Sequence, residues 1–171
     1  KTIVIQPFGR SSTRQQHEMI DPMSRSISLA TYQAIIKELH KTYNVVYMGE
    51  NKDVDDTTFK VDSSLRQWAA IIEASDYFLG CDSVGQHMAY AFNKPGTIIL
   101  GSTFAENTSY ANHFQILRKP NTDIRYFPIR LCENGIDGDI ANRVNDTCMD
   151  FSEKETKELI SKILKDIKEK V

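Results

Sequence analysis

The chain has 171 residues, 40% hydrophobic and 26% charged, with a formal net charge of -2. That length fits one domain with a sizeable core, and the near-neutral balance argues against a global nucleic-acid binder. No apolar run reaches the roughly 18 residues that span a bilayer, and no signal peptide is visible.

The chain opens on Lys1 rather than Met and enters a strand at Ile3-Val4-Ile5, so a segment upstream is expected. This apolar run ends at Pro7 and Gly9 and reads as a buried strand of a parallel sheet. Residues 9–28 are polar and read as loop. A helix follows, with Leu29, Tyr32, Ile35, Ile36, Leu39 and Tyr43 at helical spacing, and Asn44 closes it. Val45 to Met48 make a second strand ending at Gly49, and the acidic stretch 50–62 reads as irregular.

Ser64 and Gln67 form a capping box for a helix that puts Leu65, Trp68, Ala69 and Ile72 on one face, with Trp68 expected in the core. Tyr77-Phe78-Leu79 is the next strand. Ser83 and Gln86 form a second box opening a helix through Ala91, and Thr97 to Leu100 make a fourth strand. Residues 102–150 read as loop with one short strand near 126–129. Ser152 and Glu155 cap a last helix with Leu159, Ile160, Ile163, Leu164 and Ile167 on one stripe. Strands alternating with helices predict an α/β fold: a Rossmann-like three-layer domain on a parallel sheet.

Candidate chemistry collects where strands feed helices. Asp82-Ser83-Val84-Gly85 lies at such a turn, where the free amides and dipole of a helix N-terminus favour an anion. Gly85 is expected to let a ligand approach the backbone closely. Asp82 and Ser83 can equally be only a turn residue and a cap. His87, one turn into the helix, is either a ligand contact or an ordinary surface side chain.

Residues 1–17 hold Arg10 and Arg14 and no carboxylate, so these arginines either clamp a diphosphate or decorate a basic loop. Glu50 is placed to accept bonds from a ribose or base, or is merely solvated. Thr103 adds a hydroxyl after the fourth strand. In the sequence alone no partner is recognisable for His17, His40 or His113. Neither GxxxxGK[ST] nor GxGxxG is present. Cys81, Cys132 and Cys148 show no metal-ligand spacing and read as reduced thiols, with a Cys132–Cys148 disulfide as the alternative.

The run from Gly80 to Ala91 (GCDSVGQHMAYA), then Lys94-Pro95 and Leu100 to Thr103, resembles the heptosyltransferase-like family of GT-B glycosyltransferases, glycosyltransferase family 9. That family shows a D-[ST]-[GA]-x-x-H-[LM]-A-x-A run. The opening Ile5 to Gly9 resembles its first strand-to-loop element, and Cys132, Cys148-Met149 and the last helix resemble its C-terminal segment. The resemblance implies that residues 1–171 are the donor-binding half of a GT-B fold, binding a nucleotide-diphosphate sugar such as ADP-heptose. It further implies metal-independent, inverting transfer to a glycan or lipopolysaccharide-type acceptor held by a missing N-terminal domain. No cofactor is expected beyond the donor, and the location is expected to be cytoplasmic or peripheral to the membrane.

By that analogy the Ser83–Gly85 amides hold the diphosphate, Asp82 contacts the sugar, and His87 supports the loop. Arg10 or Arg14 stands in for the family's lysine, which is absent here, and Glu50 approaches the nucleoside. Val84 replaces the usual Gly or Ala. No catalytic base is assigned to this chain. The alternatives are a non-catalytic nucleotide- or sugar-binding or interaction module, and a sugar-nucleotide epimerase or hydrolase.

Overall fold

The computed structural model describes residues 1–15, 18–21, 23–49, 59–61, 64–124 and 148–171. The elements in chain order are β1 (Thr2–Gln6), β2 (Thr13–Gln15), β3 (Glu18–Ile20), α1 (Leu29–Leu39), β4 (Asn44–Met48), β5 (Phe59–Val61), α2 (Leu65–Ala74), β6 (Tyr77–Cys81), α3 (Val84–Ala91), β7 (Gly96–Ile99), α4 (Ala105–Thr108), β8 (Gln115–Leu117) and α5 (Glu153–Lys170). Among the described residues, six strands form one sheet in the order β5-β4-β1-β6-β7-β8. Every pairing in it is parallel. The expected Rossmann-like α/β class is therefore the observed one.

Alternate residues of each strand face opposite layers. Ile3 and Ile5 of β1 join Tyr32, Ile35 and Leu39 of α1 and Leu159, Ile163 and Ile167 of α5. Val4 faces the other way, with Ile72 of α2, Phe78 of β6 and Ala89 of α3. The stripe on α5 packs as its spacing predicts: Leu159, Ile163 and Ile167 are buried, and Ile160 and Leu164 are partly buried against the same cluster. Under α5, the Tyr77 hydroxyl donates to the buried Asp166 carboxylate and also lies 2.6 Å from Thr97 Oγ1. Burial, then Asp166, push that phenol far above its ordinary range.

The capping boxes at Ser64 and Ser152 form as expected. Five local readings are corrected, the first being that the stretch 50–62, read as irregular, contains β5, which pairs in parallel with β4. Helix α1 stops at Leu39 with His40 as its C-cap, and the Asn44 amide bonds the Lys1 carbonyl at 2.9 Å where β4 starts; Tyr43 packs against the core from outside the helix. The segment 9–28 contains the antiparallel hairpin β2–β3. Beyond residue 102 the chain makes α4 and β8. Trp68 is only partly buried and lines a cleft. The expected strand at 126–129, Glu50, His17 and the Cys132 partner of the Cys132–Cys148 pairing lie outside the described residues. No helix of the described residues is long and apolar enough to cross a membrane.

The sheet order fixes where a ligand can sit. From β1 the chain runs outward to β4 and β5, then returns to place β6 on the other side of β1. The strands diverge at the β1–β6 boundary, and in open α/β sheets the crevice beyond the carboxyl ends there is the binding position.

Candidate functional site

A cleft of about 800 Å³ occupies that position. The ends of β1, β4 and β6 supply Gln6, Gly49 and Asp82, α3 supplies His87, and the β1 loop supplies Arg10 and Arg25. Leu65 and Trp68 of α2 form its apolar wall.

Gln6 is 3% exposed and crosses the β1–β6 boundary. Its Oε1 accepts from the Gly85 amide at 2.8 Å, and its Nε2 donates to Ser83 Oγ at 3.1 Å. Here two expectations change. Ser83 makes no side-chain cap, because Gln6 takes its hydroxyl. Gln86 is drawn off instead to Asp82 Oδ1 at 2.9 Å and the Thr108 carbonyl at 2.7 Å. Gly85 serves packing rather than ligand approach: its amide is engaged by Gln6, and a Cβ would collide with Gln6 Oε1 and sit 2.7 Å from the Phe78 ring. Gly85→Ala is expected to lower stability by about 1–3 kcal/mol in urea unfolding, as overpacking does. An unchanged midpoint would show that Gln6 and Phe78 yield freely.

The loop after β1 is organised by one carboxylate. Asp21, 8% exposed, accepts from Ser11 Oγ (2.7 Å), the Met23, Arg25 and Ser26 amides (2.9, 3.2 and 3.0 Å) and Ser26 Oγ (2.6 Å). Burial pushes its pKa up, but the bonds from Ser26, Ser11 and Met23 outweigh burial and hold it below the ordinary value. Gly9 packs closely here; a Cβ on it would lie 3.2 Å from Asp21 Oδ2 and 3.4 Å from Arg25 Nη2. Its amide donates to Ser26 Oγ at 2.8 Å. Residues 23–26 are thereby folded back over the β1 tip, and they carry Arg25 into the cleft.

Arg25 is the residue that reading the sequence missed. Its Nε is buried and makes no hydrogen bond, and its Nη2 reaches Ser11 Oγ at a long 3.4 Å. Arg25 lines the cleft, where a guanidinium can offer charge-assisted donors to an anion. The only signal in the sequence was a basic residue among turn formers just before Ser28, the N-cap of α1. Asp82 faces the same space. Burial raises its pKa, while Arg25 and His87 pull it down.

The structure gathers Arg10, Asp82, Ser83, Val84 and His87 around this cleft with Arg25. Arg14 lies on β2, paired in register with Met19, and is not among the residues that line the cleft. Thr103 is 4% exposed and its hydroxyl lies 3.2 Å from Thr108 Oγ1, so it serves the α4 turn rather than the cleft. His87 Nδ1 lies 2.9 Å from the Tyr110 hydroxyl. His113 does have a partner, the Lys94 carbonyl at 2.8 Å from its Nε2.

Fold and cleft together define an open α/β domain with a cleft, lined by Arg10, Arg25 and Asp82, at the point where its strands diverge. No protein-family model and no curated protein matches the sequence. Among solved structures, the ADP-heptose lipopolysaccharide heptosyltransferase II of Escherichia coli is similar at TM-score 0.59 and 14% identity, over 98% of this chain and 46% of that one. The iron-containing dodecameric glycosyltransferase TibC of enterotoxigenic E. coli is similar at TM-score 0.58 and 12% identity, over 99% of this chain and 47% of that one. E. coli heptosyltransferase WaaC, solved with ADP, gives TM-score 0.50 at 12% identity, over 71% and 38%. The chain spans about half the length of the structures it matches, and the match falls in their C-terminal half. It has the heptosyltransferase fold over that half.

Proposed function

We propose that this chain is the donor-binding domain of a glycosyltransferase and that its cleft takes a nucleoside-diphosphate sugar of the ADP-heptose class. The observation that carries the reading is the Arg25 guanidinium, with its buried unpaired Nε, set beside Asp82 and the N-terminus of α3 at the sheet's switch point. TibC, which shares the fold, has been solved with ADP-D-β-D-heptose. In this reading Arg25 and Arg10 take the diphosphate, His87 and Ser83 border it, and Asp82 accepts from hydroxyls of the donor sugar. Leu65 and Trp68 offer the apolar wall that a nucleobase needs.

Transfer is then the metal-independent, inverting attack of an acceptor hydroxyl on the anomeric carbon, with acceptor and general base supplied from outside these residues. The acceptor is a glycan or a lipopolysaccharide-type molecule. The contribution of this domain is electrostatic: cationic donors aimed at the charge that develops on the departing nucleoside diphosphate. Calorimetry and thermal shift against ADP, UDP, GDP, CMP and their sugar conjugates, with and without Mg²⁺, test this. The expected result is stabilisation by ADP and its sugar conjugates that Mg²⁺ does not change. No binding by any nucleoside diphosphate to the folded domain would overturn the reading.

A further inference from the structure

One flank of α3 carries a set of stacked rings that the cleft itself does not use. Tyr90 is 45% exposed, yet it lies flat on Tyr110, with ring centroids 3.8 Å apart and 4° between planes. Behind them Phe114, 4% exposed, meets Tyr110 edge-on at 6.2 Å. His113 meets Tyr90 edge-on at 5.2 Å, and its Nε2 lies 2.8 Å from the Lys94 carbonyl. The brace is therefore anchored in the core at one end. At its other end the Tyr110 hydroxyl lies 2.9 Å from His87 Nδ1, and the Tyr110 and His87 rings meet edge-on at 5.6 Å. His87 is an exposed side chain at the cleft wall, the kind that samples several rotamers unless something holds it.

We propose that Tyr110 is a positioning residue, whose hydroxyl, steadied by stacking on Tyr90, fixes the ring and tautomer of His87 so that Nε2–H serves the cleft as a donor to an anionic oxygen of the nucleotide. The chemistry follows from the imidazole. A hydroxyl that donates to Nδ1 leaves the proton of the neutral ring on Nε2. When the ring is charged, the hydroxyl accepts from Nδ1–H instead, and Nε2 still donates. In both of these arrangements the contact presents a donor, the polarity a phosphate oxygen requires; a neutral ring donating from Nδ1 to the hydroxyl would instead leave Nε2 an acceptor and would overturn the assignment. Holding the ring in place before binding also removes the ordering penalty that a free side chain incurs on complex formation.

The inference rests on the nucleotide reading, and its test separates the two. Tyr110→Phe keeps the ring stack and removes only the hydroxyl. In the whole chain labelled with ¹⁵N-histidine, the neutral His87 ring should shift from the Nε2–H tautomer toward a mixture in this variant. ADP affinity measured by calorimetry should fall about three- to tenfold, the range for one ordered side chain. In the His87→Ala background the same substitution should have no further effect. Unchanged ring shifts, or losses that multiply in the double variant, would overturn the positioning role. If wild-type protein does not bind ADP, the nucleotide reading and the proposed destination of the Nε2 proton fail together, while the ring shifts still report whether Tyr110 sets the tautomer.

Discussion

Arg25→Gln should weaken binding of ADP and of its sugar conjugates about 10- to 150-fold while the domain stays folded, which one charge-assisted contact of about 1.5–3 kcal/mol supports. The substitution keeps a polar side chain and removes the charge. It leaves intact the backbone bond from the Arg25 amide to Asp21 Oδ2, which shapes the turn. The effect is expected to be large because Arg25 is half-buried at the cleft wall, where a charge-assisted bond is screened less than at an exposed site. Arg10 is the comparison. It lines the same cleft but is exposed, and Arg10→Gln should lower affinity only a few-fold, as for a solvated charge. Arg25 also holds down the pKa of Asp82 against the effect of burial. In the Arg25→Gln protein Asp82 should therefore titrate at higher pH, seen as a raised carboxyl midpoint by NMR. Calorimetry on both variants decides the matter: equal affinities for wild type and Arg25→Gln would remove Arg25 from the diphosphate site.

Much of the sheet was legible because buried parallel strands are apolar on both faces. Runs such as Ile3 to Ile5 and Tyr77 to Leu79 announce themselves, and the helices between them carry local caps at Ser64 and Ser152. The three-residue strands β2, β3, β5 and β8 are too short to set up a period. The cap at Ser83 fails for a different reason: the spacing is right, but Gln6, 77 residues away, takes the hydroxyl, and Thr108, 22 residues away, takes Gln86. Tertiary partners override a local rule where strand, turn and helix converge, which is also where function gathers. Asp82, Ser83 and His87 could be placed because a strand-to-helix turn positions them by covalent geometry. Arg25 could not, since it enters the cleft only when Asp21 folds residues 23–26 back against Gly9. Thr103 shares the strand-end position that suggested a site, yet α4, unseen in the sequence, supplies Thr108 and turns its hydroxyl to structural use.

Asp21→Ala should be the most destabilising change in the loop after β1, at about 3 kcal/mol or more, because five donors lose a buried charged acceptor together. For a chain of this size that is a drop of roughly 6–12 °C in melting temperature. Asp21→Asn keeps the shape and one carbonyl oxygen but turns an NH₂ toward existing donors, so a smaller loss is expected. The pH dependence identifies the charge as the cause. The folded pKa of Asp21 lies below the ordinary value of 3.8, so the folded state binds its proton less readily than the unfolded chain does. The stability it contributes is fully present above the unfolded pKa and is lost as pH falls through the folded one. Urea unfolding of wild type and Asp21→Asn at pH 7, 5 and 3 should therefore give a difference that is constant between the first two and narrows at the third. A gap that stays constant down to pH 3 would mean that shape, not charge, holds the turn. Loosening Asp21 should also release Arg25, so the Asp21→Asn domain, still folded at neutral pH, should bind ADP more weakly than wild type although Asp21 has no place in the proposed diphosphate contacts.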